Sequence, residues 1–217
     1  MKAHRDFPNL YVSDHPLVQH KLSHMRDVRT DKSAFKTYLH DISLLLGYEV
    51  TRPLKVKEQT IKTPVCEATF PVLKSKDPVL VPILRAGLGM LEGLETLMPQ
   101  SQVGHLGLYR DEETKEPVEY LLRLPSLQDR NVIAVDPMLA TGNSAKYALD
   151  VLIREGADPS RIRFMALLAA PEGVQVLLDA YPDIPVYVAA LDEKLNEKAY
   201  IVPGLGDAGD RLFGTMD

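Results

Sequence analysis

The chain has one cysteine, Cys66, among 217 residues, which excludes an intrachain disulfide and any metal cluster built on cysteines. Long apolar runs are missing as well. The longest, Phe164 to Ala170, falls far short of the roughly 20 residues that a membrane-spanning helix needs. The opening MKAHRDFPNL has no apolar stretch of the secretory kind, so a cytoplasmic protein with no membrane association is expected. An excess of positive charge is also lacking: the formal net charge is −5. That balance argues against a nucleic-acid partner, which would call for a broad basic face, but leaves room for a small anion held by a few arginines. There is no internal repeat and no low-complexity stretch, and only the charged run RDEETKEP (110–117) resembles a linker. One domain over residues 1–217 is therefore expected. Apolar residues at 45% are ample for its core.

The N-terminal portion, about 14–48, reads as helical. HPLVQHKLSHMRD brings Leu17, Val18, Leu22 and Met25 near one face, and AFKTYLHDISLLLGYEV repeats the spacing until Gly47, expected to break it. TIKTPVCEATF alternates like a strand. From residue 79 one unit recurs: an apolar run, a small-residue turn, an amphipathic helix. VLVPIL leads through RAGLG into MLEGLETLM, and NVIAV leads through DPMLATGNS into AKYALDVLIREG, with Gly156 as its stop. RIRFMALLA leads into PEGVQVLLDAY, and IPVYVAAL follows. Strands that are apolar throughout are expected where helices cover both faces, so the fold class is α/β with a mainly parallel sheet flanked by helices. Ligands in such sheets sit beyond the carboxyl ends of the strands, which directs attention to the turns at 85–89, 136–144 and 201–209.

The last of these, in YIVPGLGDAGD, contains a G-x-G-x-x-G at Gly204, Gly206 and Gly209. As a dinucleotide fingerprint it needs a helix and then a second strand after the third glycine. Only eight residues follow Gly209, so neither is expected, and the glycines need another explanation. The turn VDPMLATGNSA carries more information. Gly142 allows close approach of an anion to the amides at a helix start, and Thr141 and Ser144 add hydroxyls. No lysine sits there, so this is not a Walker A loop. Asp136 would repel a phosphate unless it holds sugar hydroxyls or a metal, and the combination implies a sugar phosphate. Asp136 and Ser144 as simple helix caps would be the commoner reading of such a loop, but Asp136 lies several residues too early for a cap.

DPMLATGNS after an apolar strand resembles the 5-phosphoribosyl-1-diphosphate (PRPP) loop of uracil phosphoribosyltransferases. HPLVQHKLSHMRD, VPILRAGLGM, GLYRDEETKEPVEY, LLAAPEG and YIVPGLGDAGDRLFGT resemble segments of the same family in the same order, so the likeness covers essentially the whole chain. Two departures stand out. Where phosphoribosyltransferases in general carry a second acid, this chain has Pro137, as is usual for the uracil branch. Asn143 replaces a common second glycine, and asparagine tolerates left-handed backbone angles better than most residues.

The resemblance implies a phosphoribosyltransferase-like fold with a flexible β-arm at about 109–125 and a base-binding segment at about 192–214. PRPP would be held by Arg85, Arg110, Asp207 and the run Asp136, Pro137, Met138, Leu139, Ala140, Thr141, Gly142, Asn143 and Ser144. Uracil would be read by Ile201, Gly206, Asp207 and Ala208. Arg110 and Asp207 would be catalytic, and Mg²⁺ would enter mainly on PRPP, with no certain protein ligand. Some family members respond to GTP, so GTP as an activator stays open, and a homodimer or higher homo-oligomer is implied. The implied reaction joins uracil to the ribosyl group of PRPP, giving UMP and diphosphate. An RNA-binding regulator on the same fold would show a basic face with interleaved aromatics, and a transferase for another base would carry a different base loop. His20 and His24, four apart, lack an obvious third metal ligand; Cys66 lacks a base to activate it; and the seven methionines read as core filling.

Overall fold

The computed structural model describes residues 1–110 and 117–215. Strands β1 (Lys2–Ala3) and β2 (Leu10–Val12) precede helices α1 (Pro16–Arg26) and α2 (Lys32–Val50), and a hairpin of β3 (Val56–Lys62) and β4 (Glu67–Leu73) follows. Next come β5 (Val79–Leu84), α3 (Leu88–Leu97), β6 (Gln102–Val103), β7 (His105–Arg110) and β8 (Pro117–Arg123). The chain continues through β9 (Val132–Val135), β10 (Met138–Leu139), α4 (Asn143–Arg154), β11 (Ile162–Ala169) and α5 (Pro171–Ala180). It closes with β12 (Val186–Leu191), β13 (Lys194–Leu195), β14 (Ile201–Val202) and α6 (Ala208–Phe213).

The main sheet runs β1-β2-β12-β11-β9-β5-β7-β8, with β10 beside β11 and β6 beside β5. Pairing is parallel from β2 through β12, β11, β9 and β5 to β7, and antiparallel only at the two edges. Alternate side chains of each strand enter opposite cores. Leu80, Ile133 and Met165 join residues of α1, α2 and α3, while Val79, Ala134 and Phe164 join residues of α4 and α5. All eight residues of β11 are buried. This explains the unbroken apolar run there: a strand covered on both sides has no solvent face on which to place polar residues. From β5 the chain crosses to β7 on one side, then returns to β9 on the other. The crevice beyond the ends of β5 and β9 is thus the point where the winding reverses, the usual ligand position in such a sheet.

The structure corrects three local expectations. Helix α2 does not end at Gly47 but continues to Val50. Gly47 faces α3, where a Cβ would stand 2.5 Å from Leu94 Cδ2, so the glycine serves helix packing rather than helix termination. TIKTPVCEATF is two strands rather than one, with the turn at Thr63–Cys66 closed by the bond from Thr63 N to Cys66 O. A short helix, α6, does form at Gly209, although β14 before it pairs only with β13, outside the main sheet. Because that strand lies outside the sheet, the three glycines belong to no crossover unit.

Among the described residues no helix is long and apolar enough to cross a membrane, and no group of three or more His, Cys, Asp or Glu could hold a metal. His20 and His24 meet edge to face at 4.6 Å. Cys66 is exposed at the hairpin turn. Helices α2 and α3 form a tight seam, where a Cβ on Gly93 would come within 2.3 Å of the His40 carbonyl oxygen. Backbone cannot yield there as a side chain could. Gly93→Ala gains about 1 kcal/mol of helix propensity, but overpacking at fixed backbone costs about 1–3 kcal/mol or more. A net loss of stability in urea denaturation is expected; an unchanged or raised midpoint would refute the close approach.

Candidate active site

Two turns leave the carboxyl ends of neighbouring strands and enter helices without a side-chain cap. Gly87 opens α3 and Gly142 opens α4, and neither makes a side-chain capping bond. In α1, α2 and α6 the same position is served by His15, Asp31 and Asp207. The capping reading of Asp136 and Ser144 therefore falls: no side chain caps α4, as none caps α5, and an uncapped helix start is compatible with an anion site. Gly142 has φ +83°, and a Cβ there would meet the Gly173 carbonyl oxygen at 2.7 Å. Asn143 is the first helical residue and is absent from the non-glycine residues with positive φ, Asp129 and Ala199. The left-handed step of the turn falls on Gly142, so asparagine at 143 bears no backbone strain.

A cavity of about 450 Å³ joins these turns to the C-terminal segment. Arg85, Asp136, Met138 and Ala140 line it together with Ile201, Gly206, Asp207 and Ala208. Of the other sequence-predicted residues, Pro137 and Leu139 are buried, with Leu139 paired to Ala169. Thr141, Gly142, Asn143 and Ser144 form the turn and helix start beside the cavity rather than its lining. The backbone of Arg110 ends β7; its side chain and residues 111–116 lie outside the described residues.

Charge in the cavity is poorly balanced. Burial pushes the Asp136 carboxyl up from an ordinary 3.8 to about 7; the Asp207 carboxylate adds to the rise, and the Met138 N–H, donating at 3.4 Å, opposes it. Asp207 is exposed and accepts the Asp210 N–H through Oδ1 at 3.0 Å. Arg85 is exposed, with its guanidinium 5.6 Å from the Phe213 ring, and makes no ion pair among the described residues. An unpaired cation, the uncapped start of α4 and two carboxylates in one crevice suit a ligand bearing both phosphates and hydroxyls.

Sequence reading missed what holds the C-terminal segment in place. Arg26, at the end of α1, pairs with both oxygens of Asp192 at 2.6 and 2.7 Å and donates to the Gly204 carbonyl at 2.7 Å. Asp192 also accepts the Gly204 N–H at 2.9 Å. Arg211 donates to the carbonyls of Leu205 at 3.0 Å and Asp27 at 2.8 Å, and to Met25 O. Hydrogen bonds to charged groups contribute about 1.5–3 kcal/mol each, enough to offset the about 1–2 kcal/mol needed to fix one residue's backbone. The loop is therefore ordered despite its glycines. Asp192 ends the last apolar strand, a position the strand-end rule could have singled out; Arg26 and Arg211 carry no local signal. Lys198, Ala199 and Tyr200 also line the cavity, and Ala199 holds φ +61°.

The raised Asp136 value has a consequence for stability. The folded protein binds this proton more tightly than the unfolded chain, so the contribution is complete below about 3.8 and is lost as pH rises through about 7. Asp136→Asn cannot titrate. Its melting temperature should gain on the wild type as pH goes from about 5 to about 8, and a constant difference across that range would remove the assignment.

The comparisons with known proteins show the family. A family model described as uracil phosphoribosyltransferase matches residues 12–215. The uracil phosphoribosyltransferase of Rhodospirillum centenum is 58% identical over 215 residues, covering 99% of this chain and 100% of the relative. That of Burkholderia thailandensis is 56% identical over 217 residues, covering 100% of both. A solved structure of the AQ2163 protein from Aquifex aeolicus superposes with a TM-score of 0.89 at 36% identity, covering 94% of this chain and 97% of that one. A purine phosphoribosyltransferase from Pyrococcus horikoshii, with a TM-score of 0.51 at 16% identity over 72% of this chain and 85% of its own, shares the fold. With a family model spanning nearly all of its length and relatives this similar from end to end, the chain belongs to the uracil phosphoribosyltransferase family.

Proposed function

We propose that the protein transfers the 5-phosphoribosyl group of PRPP to N1 of uracil, giving UMP and diphosphate in pyrimidine salvage. The observation that carries this reading is the single cavity joining Arg85 and Asp136 at the strand ends to Ile201, Gly206, Asp207 and Ala208. In this reading the 5-phosphate lies on the turn 137–144 at the start of α4, where amides and hydroxyls meet it without a competing side-chain cap. Asp136 takes ribose hydroxyls, and Arg85 and Arg110 take the diphosphate. Uracil presents acceptor, donor, acceptor along one edge, and backbone groups at Ile201, Gly206 and Ala208 match it without a charged side chain. Cytosine would leave one of those buried groups unpaired, which discriminates strongly.

As N1 attacks C1′, the new N–C bond forms while the C1′–O bond to diphosphate breaks, with inversion at C1′ and loss of the N1 proton. Positive charge builds on the ribose beside Asp136 and Asp207, and negative charge builds on the diphosphate beside the arginines. Stabilisation that grows toward the transition state is what raises the rate. The two carboxylates fit Mg²⁺ carried in by PRPP: Asp207 raises the Asp136 value, a repulsion that a divalent cation relieves. When bound, Mg²⁺ supplies neutralisation of diphosphate charge. The homodimer implied by the family would have a surface in the β3–β4 hairpin, whose Val56, Ile61, Val65, Phe70 and Leu73 are exposed.

Diphosphate release from PRPP and Mg²⁺ with uracil, cytosine, hypoxanthine and orotate in parallel is expected with uracil alone. Equal release with cytosine would refute backbone readout at 201–208, and release with none would refute the enzyme. Phe70→Asp in the hairpin should lower the sedimenting mass toward that of a monomer; an unchanged mass moves the interface elsewhere.

A further inference from the structure

We infer that the Arg26–Asp192 ion pair is a positioning device that sets uracil affinity and base selectivity from outside the cavity. This rests on the reading of residues 201–208 as the base-binding segment. A site that reads a base through peptide groups is only as selective as those groups are fixed, because a shift of a fraction of an ångström lets the wrong donor–acceptor pattern fit. Glycine is the least suited residue to stay fixed by itself, and Gly204 and Gly206 both hold positive φ, at 61° and 82°. The fixing comes from the pair. The Gly204 N–H is taken by Asp192 Oδ2 at 2.9 Å and the Gly204 carbonyl by an Arg26 guanidinium N–H at 2.7 Å, so both peptide groups flanking this residue are held.

The two holders are themselves locked. Asp192 keeps only 4% of its side chain exposed, and its own N–H donates to Ala169 O at 2.8 Å, which ties it to the end of β11. The guanidinium grips both carboxylate oxygens at 2.6 and 2.7 Å, and this forked geometry sets orientation as well as distance. Neither residue lines the cavity. Both contact Gly204 directly, so their influence falls first on the base-reading segment 201–208. The clamp at Gly204 lies between two cavity-lining stretches, 198–201 and 206–209, so an error in it passes to both.

Steady-state kinetics of Asp192→Asn, Arg26→Ala and Arg26→Lys with both substrates test this, alongside melting temperatures. Asp192→Asn and Arg26→Ala should raise KM for uracil roughly tenfold or more, since small misplacements at a reacting centre have costs of that size. KM for PRPP should stay within about threefold. The ratio of kcat/KM for cytosine over uracil should rise, and Arg26→Lys, which keeps a cation, should recover part of the loss. A merely structural pair would lower the melting temperature and the active fraction with both KM values and the base ratio unchanged, and that result overturns the inference. Arg26 is 23% exposed, so Arg26→Lys alone carries the test if Asp192→Asn does not fold. Gly206→Val separates the two readings. If it raises KM for uracil while the ion-pair variants do not, the inference falls and the base-loop reading stands; if it too has no effect, the base-loop reading itself falls.

Discussion

Every other feature depends on the burial of the parallel sheet on both faces. Strands such as β11, buried along its whole length, are apolar except near the amino end, where Arg163 donates to Asn131. Backbone groups there are satisfied by neighbouring strands, and side chains belong to two separate apolar cores. Polar chemistry is thereby confined to the strand ends. The reversal of winding between β5 and β9 then opens one crevice at those ends rather than a continuous rim.

Within the crevice the protein accepts an electrostatic arrangement that would be costly without a ligand. Asp136 is desolvated with Asp207 as a neighbouring carboxylate, while Arg85 has no acid of its own among the described residues. The start of α4 carries no side-chain cap, whereas the first N–H groups of α3 are taken by the turn carbonyls of Arg85, Ala86 and Gly87. Charges held apart and unsatisfied in this way are poor for folding and useful for binding, since a ligand carrying both hydroxyls and phosphates meets them together. Helix α2, which serves packing, is capped by its own Asp31 side chain.

The C-terminal segment solves a different problem. Its glycines allow backbone to approach a flat ligand closely, and the same freedom would leave the loop unordered. Two arginines supply the missing rigidity: Arg26 through Asp192 and Gly204, Arg211 through Leu205 and the carbonyls at the end of α1. Arg211 also lies over the Phe35 ring at 4.5 Å, so the loop is tied to the helical core as well as to the sheet. Flexibility of composition and rigidity of structure coexist because the restraints act on peptide groups rather than on side chains.

Local rules carried much of this from sequence alone. Apolar runs without alternation gave away the doubly covered sheet, and Asp136, Gly142 and the glycines at 204 and 206 were legible because turn chemistry depends on residues adjacent in the chain. What sequence misjudged was non-local. Gly47 reads as a helix stop until α3 is seen against it. The partnership of Arg26 with Asp192, 166 residues apart, has no sequence signal at all. Residue type and periodicity determined which segments are strands, helices and turns. Only the tertiary structure decided which charges meet, because that depends on where distant strand ends arrive once both faces of the sheet are covered.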